Sequence, residues 1–235
     1  MFIKPTLILT TAVLLFTPSL ASASPKPAED KGPTELVQLT HVSRFFAAPS
    51  LSSAVVDTVS NVTPITGETT TLPVVQSSFS HHKLWFLVRL PGRPNSHTGW
   101  IEGQYVNTTM TPWAVVVHLN TREVSVFNDG KRVKLFHAIV GKASTPTPTG
   151  NFYVEEDITL TTSDPGYPYA LALSARSNVY TSFDGGPGQI ALHGTGGLAG
   201  SLGEAASHGC TRLSAAAITW MVYHISPGTP VTIIA

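Results

Sequence analysis

A mostly β fold is predicted for this chain: a small N-terminal β-barrel-like module, then a larger β domain with one main late helix. Three observations predict it. Eighteen prolines and nineteen glycines interrupt the chain too often for long helices. The segments between them are rich in Val, Thr and aromatic residues, which fit a pleated, half-buried surface. A convincing helical repeat of apolar residues occurs once, after Ser214.

The first element is an export signal. Lys4 supplies a positive n-region, Leu7 to Leu20 an apolar h-region, and Ala21-Ser22-Ala23 an A-x-A cleavage pattern. The apolar run is shorter than the roughly 20 residues that span a bilayer, and Pro18 interrupts it. Residues 1–23 are therefore expected to be removed, leaving an extracytoplasmic protein with no stable membrane anchor. Residues 24–35, SPKPAEDKGPTE, hold nothing apolar to bury and read as a flexible linker.

Four β-prone segments follow, Leu36 to Val42, Ala54 to Val59, Lys83 to Leu90 and Gly99 to Val106, separated by Pro, Gly, Ser and Asn clusters. The runs Ala48-Pro49-Ser50, Ala54-Val55-Val56, Trp85-Phe86-Leu87-Val88 and Gly99-Trp100-Ile101-Glu102 resemble the bacterial Src-homology-3-like module, here over residues 36–107. Arg44-Phe45-Phe46 departs from that module's usual start, and Thr66 to His82 is longer than its loops need. No candidate nucleophile and base lie before Thr109, so this part is expected to position or retain the protein. A chain starting there is expected to fold and keep its chemistry.

A second domain is expected over residues 111–235. Trp113 to Leu119 is an apolar strand, Asn120-Thr121 a turn, Val124 to Phe127 an alternating strand, and Asn128-Asp129-Gly130 a hairpin signal before Val133 to Val140. Thr145-Pro146-Thr147-Pro148-Thr149-Gly150 predicts an ordered loop or tight crossing before the strand Asn151 to Glu155. Tyr167 to Leu173 and Gly188 to Leu192 are further strands. Ser214 caps the helix, Ile218, Met221, Val222 and Ile225 line one face, and Ser226-Pro227-Gly228 ends it before the strand Val231 to Ile234.

The chemistry converges on Cys210, the only cysteine. An exported chain with one thiol cannot form an internal disulfide, so the thiol is expected to be kept for its reactivity. A nearby histidine can generate the nucleophilic thiolate, and His193 and His208 are both available. Gly209, lacking a side chain, would let the Gly209 and Cys210 backbone N–H groups turn toward a reacting carbonyl.

His193-Gly194-Thr195, a Gly-rich gap, then Ser207-His208-Gly209-Cys210-Thr211-Arg212 resembles the signature of the YkuD-type L,D-transpeptidase family. Val115 to Phe127, Ile139-Val140-Gly141 and Thr147-Pro148-Thr149-Gly150 extend the resemblance over residues 111–235; Thr211 departs from it, standing where the family usually has an aliphatic residue. The resemblance implies a YkuD-type β-sandwich in which Cys210 is the nucleophile, His193 the general base and the Gly194 carbonyl its orienting group. It assigns His208 to shaping the loop and Ser207 to holding it at the substrate. Arg212 either anchors backbone carbonyls or binds a substrate carboxylate, and Tyr169 stands at the pocket rim. The implied reaction is acyl transfer from one peptidoglycan stem peptide to another through a thioester, giving 3→3 cross-links. Water as acceptor would make an L,D-carboxypeptidase, and a protein acceptor a protein-to-wall transferase. An inert fold would leave a wall-binding protein. Carbapenem-type inhibitors are expected to acylate the same thiol.

Composition excludes other classes. Net charge is +0, charged residues are 12%, and no Lys/Arg cluster stands out, so nucleic acid is not an expected partner. Nine histidines raise a zinc site, with His81, His82, His193 and His208 as ligands. No H-E-x-x-H is present and no acidic residue has ligand spacing, so neither a metal nor another cofactor is expected.

Overall fold

The computed structural model describes residues 32–183 and 185–235, so the expected signal peptide and most of the expected linker lie outside it. The described chain is mostly β. Among these residues no helix is long and apolar enough to cross a membrane.

The first sheet is built from β1 (Thr34–Leu39), β2 (Ser43–Phe46), β3 (Val55–Val59), β4 (Thr71–Ser80), β5 (Lys83–Arg89), β6 (Thr98–Glu102) and β7 (Val106–Thr111), in the order β3-β2-β6-β5-β4-β1-β7. Side-chain alternation explains its packing. On β5, Phe86 and Val88 enter a core with Val37, Phe45 and Leu72, while Trp85 points the other way onto Phe46 and Trp100. Three expectations change. The sheet begins at Thr34, inside the expected linker, and β7 pairs with β1 along its length, so the sheet runs past residue 107 to Thr111. The stretch from Thr66 to His82 is largely β4, whose outer half is solvent-exposed and therefore lacks an apolar signature.

The second sheet follows from β8 (Trp113–His118), β9 (Glu123–Asn128), β10 (Lys131–His137), a short β11 (Val140–Gly141), β12 (Gly150–Thr159), β13 (Tyr169–Arg176), β14 (Gln189–Gly194), β15 (Ala205–Ser207), β16 (Thr211–Leu213), α1 (Ala215–Val222) and β17 (Pro230–Ile234). Its order is β10-β9-β8-β17-β12-β13-β14-β16, with β11 and β15 forming a separate pair. Asp129 and Gly130 take φ of 47° and 74°, the left-handed pair that a two-residue hairpin between β9 and β10 needs. Val115, Val117, Val124 and Val126 from one half share a core with Leu171, Leu173 and Leu192 from the other, so the halves pack as a sandwich. Ser214 Oγ accepts the Ala217 N–H to start α1, which buries Ala217, Ile218 and Met221 in that core.

Strand β12 belongs to both units. Phe152 and Val154 enter the sandwich core, and between them Tyr153, on the opposite face, is buried in the core of the first sheet. Glu156, which is fully buried, accepts hydrogen bonds from Ile65 N, Thr66 N and Thr66 Oγ1 through Oε2.

Candidate active site

Strand register assembles the site. β14 and β16 run parallel, pairing Leu192 with Thr211 and His193 with Arg212. Paired residues project to the same face and successive ones alternate, so His193, Arg212 and Cys210, which directly precedes β16, share one face. That face lines a pocket of about 710 Å³ together with His208, Tyr180 and Gln189. The structure thus brings together His193, His208, Cys210 and Arg212.

His193 is held on one edge and covered on another. Its Nδ1 lies 2.7 Å from Gly194 O. A carbonyl only accepts, so Nδ1 carries the proton and Nε2 presents a lone pair. The turn at Gly166 closes over the ring: Gly166 N donates to Gly196 O at 2.8 Å, and Gly194 N donates to Gly166 O at 2.8 Å. Gly166 has φ +93°, and a Cβ there would stand 2.6 Å from His193 Nδ1. Gly194 is equally tight, since a Cβ would lie 2.0 Å from Tyr167 O.

The Cys210 loop is tied down by Ser207. Its side chain is fully buried; Oγ donates to Cys210 O at 2.6 Å and accepts the Gly209 N–H at 3.1 Å. Ser207 O in turn accepts Thr145 Oγ1 and Lys142 N, both at 3.1 Å. The Thr-Pro-rich loop is therefore the backing of the Cys210 loop. Two expectations change with this geometry. Ser207 holds the loop from behind and offers nothing to a substrate. The Gly209 N–H bonds Ser207 Oγ instead of turning toward a reacting carbonyl. Gly209 is still required, at φ +124° with Ile190 packed beside it.

Burial disfavours the charged form of both Cys210 and His193. Burial pushes the Cys210 thiol above its ordinary value, opposed by a hydrogen bond from the Ala191 backbone and by the Arg212 charge. Burial pulls His193 below its ordinary value, opposed by its Gly194 hydrogen bond and assisted by Arg212. Both shifts favour the uncharged side chain on this face of the pocket.

Arg212 is buried and donates through Nη1 to Ala199 O at 2.6 Å, so it anchors the Gly-rich loop while also lining the pocket. His208 is exposed, its ring 6.2 Å from that of Tyr180. Tyr169 is not at the rim. Its β13 neighbour Ala170 pairs with His193, so Tyr169 projects to the opposite face, against Tyr223 after α1. Tyr180 is the tyrosine that lines the pocket instead. Sequence reasoning missed Tyr180, Gly166 and Ala191; each lies in a turn or strand that carries no chemical motif, and only register or loop closure brings it to the site.

Residues 112–233 match the sequence profile of the YkuD family, described as the L,D-transpeptidase catalytic domain. A Bacillus subtilis (strain 168) protein that bears the family name is 28% identical over 145 residues, 61% of this chain and 72% of its own length. Among solved structures, an L,D-transpeptidase from Mycobacterium smegmatis is similar at 19% identity and TM-score 0.41, covering 70% of this chain and 99% of that one. The catalytic domain of an E. faecium L,D-transpeptidase acylated by ertapenem is similar at 23% identity and TM-score 0.39, covering 54% and 99%.

Proposed function

The chain belongs to the YkuD family of L,D-transpeptidase catalytic domains, and from that premise we propose that it is an exported, cysteine-dependent enzyme forming 3→3 peptidoglycan cross-links through a thioester on Cys210. The observation that supports the reading is that Cys210 and His193, whose Nδ1 is committed to Gly194 O, line one pocket at the paired β14 and β16.

His193 Nε2 takes the thiol proton as Sγ attacks the carbonyl carbon of the donor stem's third residue. The Cys210 N–H is the backbone donor assigned to the resulting oxyanion, since the Gly209 N–H is engaged by Ser207. Collapse breaks the bond to the terminal D-Ala, whose amine leaves with the proton from His193. The side-chain amine of a second stem then attacks the thioester and loses a proton to His193. Its new amide forms as the C–S bond breaks, and the proton returns to sulfur. Because both groups start neutral, proton transfer accompanies attack, and no standing thiolate is exposed to oxidants.

The first sheet is assigned as a Src-homology-3-like module and residues 1–23 as a signal peptide. The same thioester chemistry extends to carbapenems, whose strained carbonyl offers Cys210 an equivalent electrophile. Mass spectrometry of the protein with purified tetrapeptide muropeptides tests the reading. Loss of D-Ala with a cross-linked dimer is expected, and neither should appear with Cys210→Ala or His193→Ala. Turnover by Cys210→Ala would overturn it.

A further inference from the structure

One wall of the reaction pocket is held by a residue outside the matched catalytic region. That wall is the loop between β13 and β14, which brings Tyr180 to within 6.2 Å of His208 and Phe183 to the pocket mouth. Its base is pinched shut: Ser177 N donates to Gly188 O at 2.7 Å, and a Cβ on Gly188 would stand 1.9 Å from Tyr180 O. At and beyond the base, the loop presents three carbonyls, of Ser177, Tyr180 and Pro187, to the first sheet.

Arg93, in the turn between β5 and β6 of the first sheet, meets all three. Nη2 donates to Ser177 O at 2.7 Å and to Tyr180 O at 3.3 Å, and Nη1 donates to Pro187 O at 2.9 Å. A guanidinium carries five N–H donors in a planar fork, which is the geometry needed to bridge both ends of one loop. The same turn is fixed to β13 by Asn95, whose Nδ2 donates to Arg176 O at 2.7 Å and whose Oδ1 accepts Arg176 N at 2.8 Å. Arg93 is therefore presented from a braced support.

We infer that Arg93 is a positioning residue for the reaction: the first sheet reaches across to hold the Tyr180-bearing wall at the spacing a donor stem requires. The inference rests on the transpeptidase reading. Arg93 touches neither reacting group. His193 is set by Gly194 and Gly166, and Cys210 by Ser207 and the Thr145 loop, so loosening the wall should weaken donor binding while sparing the chemical step.

The test compares full-length wild type, Arg93→Ala and Arg93→Lys by three measurements. Steady-state kinetics use a synthetic tetrapeptide ending in D-Ala, iodoacetamide reports Cys210 accessibility and ionisation, and hydrogen-exchange mass spectrometry follows peptides across the chain. For Arg93→Ala, the loss of hydrogen bonds to three carbonyls is expected to raise KM about tenfold with kcat within about twofold. Iodoacetamide alkylation should stay at the wild-type rate, and deuterium uptake should rise in peptides from Ser177 to Gly188. Arg93→Lys, with a single ammonium, should recover part of KM and of the protection. Wild-type KM and exchange in Arg93→Ala would overturn the inference. So would a loss confined to kcat, which marks a role in the chemical step, or raised exchange throughout the chain, which marks a merely structural one. If Arg93→Ala does not fold, Arg93→Lys decides, and wild-type behaviour there is the overturning result. A wild type that forms no thioester defeats the transpeptidase reading alone, because the exchange measurement still reports whether Arg93 holds the wall.

Discussion

Replacing Gly166 with alanine should disable the base without touching it. The added methyl would stand 2.6 Å from His193 Nδ1 and 3.0 Å from Cγ, where ordinary contact begins at 3.4 Å. The ring or the Gly166 turn must therefore yield by about 0.8 Å. The turn is held by hydrogen bonds to Gly196 and Gly194, so the ring is the part expected to move. Moving it disturbs the 2.7 Å contact with Gly194 O and with it the placement of Nε2. A misplacement of about 1 Å in a reacting group costs about 10²-fold, so acylation should slow by about 30- to 100-fold. Alanine at φ +93° also costs about 1–3 kcal/mol of stability. Gly203→Ala separates the two effects, since Gly203 has φ +92° and nothing within 4 Å of an added Cβ. The assay is single-turnover acylation by the tetrapeptide donor, followed by intact mass, alongside urea unfolding of both variants. Both should lose stability, and only Gly166→Ala should lose rate. Gly166→Ala acylating within twofold of wild type would refute the placement of His193 as the base.

The pH profile follows from the direction of two shifts. His193 must be neutral to accept a proton and its pKa is lowered, so kcat/KM should hold through neutral pH and fall only on acidification below the ordinary histidine value of 6.5. Iodoacetamide alkylation reads the thiol itself and should rise with an inflection above the ordinary 9.0; an alkylation inflection below neutrality would mean a standing ion pair. Intact mass after carbapenem treatment should show one adduct that maps to the Cys210 peptide and vanishes in Cys210→Ser, whose alcohol is far less ionised. Wild type with titratable thiol and no adduct would count against the oxyanion site. The sequence-based expectation that a chain starting at Thr109 folds unimpaired changes, because it bares Tyr153: urea unfolding should show a loss of about 3–5 kcal/mol, or the fragment should fail to accumulate, and an intact, fully active fragment would show that the first sheet is dispensable.

The Cys210 loop, the main hairpin and the capped helix are legible because each carries a local signal: a motif, an Asn-Asp-Gly turn, a Ser before a 3.6-residue repeat. Strand β4 is not, because its outer half is exposed and shows no alternation, so only pairing with β5 and β1 defines it. β15 and β16 are three residues each, too short for any periodicity to register. At the site, residue types were readable and directions were not. Tyr169 reads as a pocket aromatic by type, and β13 parity, set by pairing with β14, turns it to the other face; Tyr180, in the loop after β13, carries no signal of its own. The resemblance gives Ser207 both a loop-holding and a substrate-binding part, and a buried hydroxyl with two backbone partners performs the first. Arg93 lies in Pro91-Gly92-Arg93-Pro94-Asn95, which reads as a turn and nothing else until its long-range carbonyl partners are seen.

Strand β12 also bears on how such chains can be recombined. A crossover between β7 and β8 looks harmless in one dimension, since it cuts a connection of a single residue, Pro112. In three dimensions it separates Tyr153 from the cavity shaped to take it and Glu156 from the loop amides it binds. A chimera that keeps the catalytic half and imports a foreign first sheet would inherit a large aromatic side chain and a carboxylate with nowhere to go. Exchange of these units should succeed when the two inward-facing positions on β12 travel with the sheet they serve, so the hereditary boundary runs through the middle of a strand.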